Sequence, residues 1–354
     1  MTHSPATPSA VASGAAARLR VSGLSTSFAT EAGRIHSVSD VSFVIEPGKT
    51  LALVGESGSG KSVTSLSLMG LHARTSHAEV GGQAIFVKRN GEAVDLLALK
   101  ESDKRELRGN EIAMIFQEPM TSLNPVLTVG EQIAESARLH LGMDRRTAHA
   151  HARRMLELVE IPAAGQRVNE YPHQLSGGMR QRVMIAQAMA CNPTLLIADE
   201  PTTALDVTIQ AQILALMGRL QKETGMSILF VTHNLGVVAQ YADAVAVMYA
   251  GRIVESASVH ALFAEPQHPY TRGLLACLPG VARRNALAQG LHGKPVLKAI
   301  PGQVASPLAP PPGCAFAPRC DRASADCDRQ VPKLVATGEA RLTRCLQYVE
   351  RVAA

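Results

Sequence analysis

Short apolar runs recur along the chain, each followed by a segment with helical spacing. The run TLALVG at residues 50–55 is too short for a buried helix and is typical of a buried parallel strand, and residues 62–71 are then predicted to form a helix. The alternation returns with a strand predicted over 194–198, a helix over 207–224 and a strand over 227–231. This pattern predicts an α/β fold with a mainly parallel sheet, whose ligand sites lie at the carboxyl ends of the strands.

A different pattern separates the first strand from the second. Between Gln117 and Ser176 the spacing is helical, with helices predicted over 129–141 and 145–159 and no clear buried strand. We interpret the segment of about 118–180 as a helical lobe inserted into the α/β unit.

Length and composition divide the chain further. A chain of 354 residues is too long for one ordinary domain, and 46% hydrophobic with 18% charged residues excludes a mainly disordered or collagen-like protein. From residue 266 the composition shifts toward proline, and four of the six cysteines follow. We expect a main unit over 18–265, a separate C-terminal module over 266–354, and a disordered tail over 1–17.

The sequence argues against a membrane-spanning segment and against a nucleic-acid groove. No run approaches the ~18 consecutive apolar residues of a bilayer-spanning helix. The first 17 residues lack the charged and apolar regions of a secretory signal, so we expect a cytoplasmic protein. The net charge is +5, but residues 281–354 carry eleven Lys and Arg against five Asp and Glu. The remaining body is close to neutral, which argues against a nucleic-acid groove.

One segment has the sequence of a phosphate-binding loop. GESGSGKS at residues 55–62 matches G-x-x-x-x-G-K-[ST] between a predicted strand and a predicted helix. Its glycines let backbone N–H groups close around phosphate oxygens at a helix N-terminus. Lys61 is predicted to reach the β and γ phosphates, and Ser62 to ligate Mg²⁺. The predicted nucleotide-binding residues here are Gly55, Ser57, Gly58, Ser59, Gly60, Lys61, Ser62 and Val63.

Two further segments carry chemistry. LLIADE at residues 195–200 places Asp199 and Glu200 at the end of a buried strand, where the first can hold Mg²⁺ and the second can orient or deprotonate a water. With the phosphate loop, this pair indicates a nucleoside triphosphatase. LSGGMRQR at residues 175–182 opens a helical segment, and its serine and two glycines form a second anion site.

The octet at 175–182, followed in order by DEP at 199–201, ALD at 204–206 and TH at 232–233, resembles the ATP-binding subunit of an ABC transporter. The resemblance implies a P-loop NTPase fold of the ABC type, with an inserted helical lobe. It also implies a head-to-tail dimer with two ATP molecules at the interface. Residues of one subunit would then contact the ATP held by the phosphate loop of the other, namely Ser176, Gly177 and Gly178.

The resemblance also implies roles for single residues at the catalytic centre. Glu200 would be the catalytic carboxylate, and His233 would contact the γ phosphate and hold the attacking water with Glu200. Gln117 would link the lobe to the γ phosphate and the permease.

Metal, adenine and dimer contacts follow from the same resemblance. The Mg²⁺ set would be Ser62, Asp199 and Gln117, while Asp206 would couple the two sites across the dimer. Phe28 is the candidate for stacking on adenine, with a place in the core as the alternative.

Two more segments narrow the branch. FQEPMTSLNP at 116–125, and PQHPYTRGLL at 266–275 before a cysteine-bearing tail, resemble the dipeptide, oligopeptide and nickel importers. The resemblance implies an ATPase at the cytoplasmic face of the inner membrane that powers peptide import. Its partners would be a paralogous subunit or a second copy, two permeases and an extracytoplasmic binding protein. Nickel or a glutathione-like cargo is the alternative. A soluble ABC-type ATPase acting on DNA or ribosomes would need coiled-coil arms, zinc-hook cysteines or two fused ATPase units.

The tail contains a four-cysteine pattern, C-x5-C-x6-C-x17-C. Structural zinc usually uses C-x2-C pairs, which are absent, and a reducing cytoplasm disfavours disulfides. Four thiolates can also hold an iron–sulfur cluster at irregular spacings, and the tail that this segment resembles is associated with a [4Fe–4S] cluster in some members. We favour the cluster over zinc, with four ordinary thiols or a redox-sensing ATPase as alternatives. The residues are Cys314, Cys320, Cys327 and Cys345.

Overall fold

The computed structural model describes residues 17–117, 122–203, 205–288 and 299–353. The tail predicted to be disordered therefore lies outside the described residues except for its last position, as do residues 118–121 of the predicted lobe. In chain order the strands are β1 (Leu19–Thr30), β2 (Gly33–Ile45), β3 (Thr50–Val54), β4 (Ala78–Val87), β5 (Ala93–Asp95), β6 (Ile112–Ile115), β7 (Leu195–Asp199), β8 (Ser227–Thr232), β9 (Ala244–Tyr249), β10 (Arg252–Ser258), β11 (Val335–Gly338) and β12 (Arg341–Thr343).

The helices of the same ranges lie between and after these strands. They are α1 (Lys61–Met69), α2 (Glu101–Leu107), α3 (Val129–Leu141), α4 (Arg145–Leu158), α5 (Ala164–Arg167), α6 (Gly177–Met189), α7 (Val207–Thr224), α8 (Leu235–Tyr241), α9 (Val259–Ala264), α10 (Pro269–Ala276), α11 (Pro279–Ala288) and α12 (Leu346–Ala353). None of the helices within the described ranges is long and apolar enough to cross a lipid bilayer.

Within the described ranges the central sheet has the order β11-β12-β10-β9-β3-β8-β7-β6. From β9 to β6 neighbouring strands are parallel, whereas β10, β11 and β12 add antiparallel pairs at the other end. The predicted strands over 50–55, 194–198 and 227–231 correspond to β3, β7 and β8, which are buried along their whole length. The predicted α/β fold is confirmed, and its sheet is mixed.

A second sheet, which the sequence analysis did not predict, has the order β2-β1-β4-β5 and is antiparallel. It packs over α1 and one face of the central sheet, and their shared core contains Leu24, Phe43, Leu53, Leu68 and Phe86. Alternate residues of each central strand point to opposite faces of the sheet. The opposite face of β7 and β8 therefore packs against the helical lobe.

The helical segment agrees closely with its prediction. Helix α3 spans the predicted 129–141, and α4 ends one residue before the predicted end of 145–159. Thr128 and Asp144 cap the N-termini of these helices with side-chain oxygens, as short polar residues do. The lobe shares one continuous core with the face of β6, β7 and β8 that lies opposite the antiparallel sheet. Ile133, Leu156 and Ile185 are fully buried in this core.

The C-terminal region packs against β3 and β9, on the same face of the sheet that contacts the lobe at β7 and β8. Phe316 joins Tyr249, Tyr270 and Val54 in a third core, and β12 pairs with β10. The chain after residue 266 therefore contributes both a strand pair and apolar side chains to the structure around β3, the strand that leads into the phosphate loop. The division into units ending at residues 17 and 265 stays a prediction.

Candidate active site

Four parallel strands end at the same edge of the central sheet. Beyond β3 lies Gly55, beyond β6 Gln117, beyond β7 Glu200 and beyond β8 His233. Because the carboxyl ends of parallel strands meet at one edge, residues far apart in the chain come together here, where ligand sites of open α/β sheets form.

The phosphate loop joins β3 to α1 and depends on two glycines. A methyl group on Gly55 would collide with the backbone oxygen of Met248, and one on Gly60 would collide with the backbone oxygen of Ser37. Gly60 also has φ of 100°, in the left-handed region, and is the N-cap from which α1 begins at Lys61. The loop can therefore close tightly only with glycine at both positions.

The rest of the loop is partly open to solvent. Ser57 and Gly58 are exposed, and Gly58 has φ of 78°. Ser59 is buried, and its N–H donates to the carbonyl oxygen of Glu56 at 3.2 Å. Val63 is half-buried and packs against the core below α1. Exposed backbone at the tip of the loop suits an incoming phosphate group.

Lys61 is folded back onto the loop. Its Nζ donates to the carbonyl oxygens of Gly55 at 2.9 Å and Glu56 at 3.0 Å. Burial lowers the pKa of Lys61, whereas the carboxylates of Glu200 and Asp199 raise it. The ammonium group is thus held at the loop by carbonyl oxygens that phosphate oxygens can replace.

Two of the three predicted protein ligands of Mg²⁺ lie in contact. Ser62 Oγ donates to Asp199 Oδ1 at 3.1 Å, which joins the start of α1 to the end of β7. Burial raises the pKa of Asp199, and the hydrogen bond from Ser62 lowers it. A hydroxyl and a carboxylate on adjacent elements are the hard oxygen donors that suit Mg²⁺, which completes its shell with phosphate and water. Gln117, the third predicted member, bonds to Glu200 instead.

Glu200 is held from three sides. Its Oε2 accepts hydrogen bonds from Thr203 Oγ1 at 2.9 Å and Gln117 Nε2 at 3.4 Å, and its Oε1 lies 3.2 Å from His233 Nδ1. Glu200 has φ of 47°, a left-handed conformation that is rare for a side-chain-bearing residue and that clusters at functional sites. The structure therefore brings together the three residues predicted to be catalytic.

Thr203 was not predicted. The signal that could have identified it is the hydroxyl three residues after the strand-end carboxylate, a spacing at which a tight turn brings side chains together. The backbone N–H of Thr203 donates to the carbonyl oxygen of Glu200 at 3.1 Å, which closes that turn.

The residues predicted to act across a dimer are at helix starts. Ser176 Oγ accepts from the N–H of Met179 at 3.3 Å and caps α6, and Asp206 Oδ1 accepts from the N–H of Ile209 at 2.9 Å and caps α7. Ser176, Gly177 and Asp206 are exposed. Gly178 is half-buried, and a methyl group there would lie 3.0 Å from Ile209. The start of α6 is thus capped by Ser176 and open to solvent, and its contact with a partner's ATP stays a prediction.

Phe28 lies on β1, half-buried and opposite Ile35 of β2. Its ring centroid is 5.4 Å from that of His72, with the ring planes at 83°. His72 follows the C-terminal end of α1, whereas the phosphate loop precedes the start of that helix. Burial lowers the pKa of His72. The stacking of Phe28 on adenine stays a prediction.

A second candidate site lies in the C-terminal region. One pocket of about 20 Å³ is lined by all four cysteines of the tail, with His268 and Phe316 among its other walls. The backbone N–H of Arg322 donates to Cys320 Sγ at 3.4 Å, and that of Ser324 donates to Cys327 Sγ at 3.5 Å. Burial raises the pKa of three of the thiols, and the N–H groups lower it, at Cys314, Cys320 and Cys345.

The tertiary structure therefore gathers cysteines that are scattered in the sequence. In the part of the chain that the structure describes, no group of three or more His, Cys, Asp or Glu side chains is arranged to hold a metal ion. The four cysteines predicted to hold an iron–sulfur cluster thus line one pocket, and the cluster itself stays a prediction.

The site has the features of a P-loop nucleoside triphosphatase. These are the phosphate loop, the contact between Ser62 and Asp199, and the three side chains around Glu200. Comparison with known proteins specifies the family. Residues 38–203 match the family described as ABC transporter, and residues 254–327 match the oligopeptide/dipeptide transporter C-terminal region. The chain belongs to the ABC transporter family, among its ATP-binding subunits.

Relatives resemble the chain over nearly its whole length. A protein of Brucella ovis named as a peptide import ATP-binding protein is 54% identical over 332 residues, which cover 94% of this chain and 97% of the relative. A protein of Brucella abortus with the same description is 50% identical over 327 residues, 92% of this chain and 94% of its own length.

Solved structures share the fold. A dimeric ATP-binding cassette in a post-hydrolysis state bound to ADP and Pi aligns with a TM-score of 0.59 and 26% identity, over 68% of this chain and 98% of that chain. The cbiO1 protein of Clostridium perfringens, part of the ABC transporter complex cbiONQ, aligns with a TM-score of 0.58 and 25% identity, over 77% of this chain and 95% of that chain.

Proposed function

We propose that this chain hydrolyses ATP to power the import of dipeptides or oligopeptides through a membrane permease. The observation that carries the proposal is the grouping of Gln117, Thr203 and His233 around Glu200, at the sheet edge where the phosphate loop begins. The match to the oligopeptide/dipeptide transporter C-terminal region, and relatives named for peptide import, support the cargo class over nickel.

The reaction is transfer of the γ-phosphoryl group of ATP to water. Lys61 exchanges its two carbonyl partners for phosphate oxygens and offsets their charge. Glu200 accepts a hydrogen bond from the attacking water, and His233 holds that water in line with the bond that breaks. Ser62 and Asp199 hold Mg²⁺, which when bound neutralises charge on the phosphates. The remaining predicted loop residues supply backbone N–H donors.

The active form is a head-to-tail dimer, with a paralogous subunit or a second copy as the partner. The exposed start of α6 supplies donors to the partner's ATP, through Ser176, Gly177 and Gly178. Asp206, exposed at the start of α7, couples the two sites. Closure of the dimer changes the conformation of two permease subunits. An extracytoplasmic binding protein delivers the peptide to these permeases. The chain then works at the cytoplasmic face of the inner membrane, with Phe28 stacked on adenine.

The C-terminal region over 266–354 is a four-cysteine module appended to an ATPase domain over 18–265. We assign its cysteines to a [4Fe–4S] cluster, with Cys314, Cys320, Cys327 and Cys345 as ligands. The support is the shared pocket and the N–H donors to the sulfurs of Cys320 and Cys327.

The test is Glu200→Gln in the transporter assembled with its permeases in proteoliposomes. The amide keeps the shape of the side chain but cannot take a proton from water, so ATP turnover and peptide uptake are expected to fall about a hundredfold or more while ATP still binds. Glu223→Gln, on the exposed face of α7, is the control and is expected to leave both rates unchanged. Wild-type turnover in Glu200→Gln would remove Glu200 from the proposed role. Uptake of Ni²⁺ without peptide uptake would overturn the cargo.

A further inference from the structure

Arg319 extends from the cysteine-bearing tail into the body of the protein. It ends a short 3-10 turn, Ala317–Arg319, directly before Cys320, and its side chain is only 6% exposed. The guanidinium group lies 5.8 Å from the ring centroid of Tyr249 and 5.9 Å from that of Phe316. Arg319 Nε also donates to the carbonyl oxygen of Pro301 at 2.8 Å. Together with the two rings, this bond fixes the orientation of the guanidinium group.

The partner of this guanidinium group is Glu56, the second residue of the phosphate loop. Arg319 Nη1 donates to Glu56 Oε2 at 2.9 Å, and Nη2 donates to Glu56 Oε1 at 3.2 Å. Two parallel hydrogen bonds of this kind combine charge with fixed geometry, which a lysine cannot reproduce. A residue 263 positions along the chain therefore holds the beginning of the loop.

The backbone of Glu56 is held as well. Its N–H donates to Tyr270 Oη at 2.9 Å, and its carbonyl oxygen accepts from Lys61 Nζ at 3.0 Å. Tyr270 is itself fully buried at the start of α10. When phosphate oxygens take over Lys61, the bond to the carbonyl oxygen is lost. The N–H of Ser59 still donates to that oxygen from within the loop, and Tyr270 and Arg319 then hold Glu56 from outside the loop.

An ion pair of this kind could serve only to anchor the tail, and the chain contains a matched example. Arg344 also lies in the tail directly before a cysteine, and it is 5% exposed. Its Nε donates to the carbonyl oxygen of Ile253 at 2.9 Å, and its Nη2 donates to Asp40 Oδ2 at 3.1 Å. These contacts join the tail to β10 and β2, and none of them involves the phosphate loop.

We propose that Arg319 is a positioning residue for ATP binding: it holds Glu56 and thereby keeps the phosphate loop in its binding conformation once Lys61 has moved to the phosphates. The inference rests on the proposed ATPase function and assigns the C-terminal region a part in that site. A loop that is held before the ligand arrives binds more tightly, because less ordering remains to be done on binding.

The experiment compares the affinity of the full-length chain for MgATP, measured by calorimetry, with its melting temperature. Arg319→Gln is expected to weaken MgATP binding about tenfold, a change that loss of charge-assisted hydrogen bonds can produce. Arg319→Lys, which keeps the charge but not the paired bonds, is expected to recover only part of the affinity. Arg344→Gln is expected to lower the melting temperature similarly and to leave the affinity unchanged.

A double variant separates positioning from charge. Arg319→Gln leaves the Glu56 carboxylate unpaired near the phosphates, which could weaken binding by repulsion alone. Glu56→Gln in the Arg319→Gln background removes that charge and is expected to leave binding as weak as in Arg319→Gln. Recovery of wild-type affinity in the double variant would overturn positioning. If Arg319→Gln does not fold, the positioning role is tested with Arg319→Lys and Glu56→Gln. Each of these variants is expected to bind MgATP more weakly than the wild type.

The outcomes also separate this inference from the proposed function. A wild-type chain that binds no MgATP would overturn both. Wild-type binding together with unchanged affinity in Arg319→Gln would overturn only the role of Arg319 and would reduce its contact with Glu56 to an anchor of the tail.

Discussion

His233 Nδ1 lies 3.2 Å from Glu200 Oε1, at the ends of the neighbouring parallel strands β8 and β7. The histidine side chain is 60% exposed and the carboxylate side chain 12%, so the pair has one face toward solvent and one toward the protein. With Thr203 and Gln117 on the other oxygen, the carboxylate is oriented by neighbouring side chains of the fold. In the proposed reaction, little rearrangement of Glu200 is then needed when a water and a γ phosphate enter.

The Lys61→Ala variant tests whether the phosphate loop binds nucleotide. Lys61→Ala removes the ammonium group that is expected to pair with the β and γ phosphates, so the affinity for MgATP should fall at least about tenfold. Calorimetric titration of the full-length chain measures it. Lys49→Ala, which removes a surface lysine paired with Asp243 at 3.0 Å, is the control and should bind normally. Equal affinities in the two variants would contradict the assignment of the loop.

The stacking of Phe28 on adenine is tested by comparing a ligand that contains the base with one that lacks it. Stacking of a base on an aromatic ring is worth ~1–3 kcal/mol, so Phe28→Ala should weaken ATP binding about tenfold or more. Tripolyphosphate, which lacks the base, should compete with equal strength in both proteins. Tyr171→Ala, at an exposed aromatic residue of the lobe, is the control. If ATP binding is unchanged, Phe28 is a packing residue beside His72.

Ser176 combines a local and an intersubunit role. Ser176→Ala removes the cap of α6 and should cost ~1 kcal/mol of unfolding free energy. It should also prevent the ATP-dependent dimer of the Glu200→Gln protein, measured by light scattering, while each subunit still binds ATP.

Asp144→Ala is the matched control for Ser176→Ala. It removes the equivalent cap of α4 in the same lobe, so the unfolding free energy should fall by a similar amount. Its dimer should form normally. If both variants lose the dimer, the effect is one of lobe stability, and the proposed contact in trans is wrong.

The four-cysteine pocket predicts a metal content. Protein purified without oxygen should contain about four iron and four acid-labile sulfide ions per chain, with broad visible absorption. Cys327→Ser should lose most of the iron. Cys191→Ser should retain it, because Cys191 is buried in the main unit and its Sγ donates to the carbonyl oxygen of Ser136 at 3.5 Å. Stoichiometric zinc, or no metal in the wild type, would contradict the cluster.

His268 predicts a dependence of stability on pH. Burial, with a further contribution from Arg344, lowers the pKa of His268 from 6.5 to about 3, while Nδ1 accepts from the N–H of Tyr270 at 3.1 Å. The unfolded chain takes up a proton below about pH 6.5 and the folded chain does not. The stability contributed by neutral His268 is therefore complete above that pH and is lost as the pH falls toward 3.

Between about pH 7.5 and 5, the expected loss is about 2 kcal/mol of unfolding free energy. Denaturant titrations at both pH values measure it. His268→Asn, whose side-chain oxygen can still cap α10, should show a smaller loss by about that amount. Equal losses in the two proteins would show that His268 does not carry the effect.

Much of the site could be predicted because its signals are local. Helix α7 spans the predicted 207–224, since apolar residues recur at helical spacing between a capping Asp206 and a left-handed Gly225. The antiparallel sheet was missed for an equally physical reason. The pairing of β1 with β2 shifts register near Leu24 and Thr26, which interrupts the period of two by which strands are detected.

By itself, the sequence determined the phosphate loop, the strand-end carboxylates and the helix starts, because each depends on neighbouring residues whose spacing sets backbone geometry and caps. Only the tertiary structure decided which distant groups meet: Arg319 with Glu56, Gln117 with Glu200, and four scattered cysteines in one pocket. Contacts between residues far apart in the chain follow from how sheets and helices pack, and no local spacing records them.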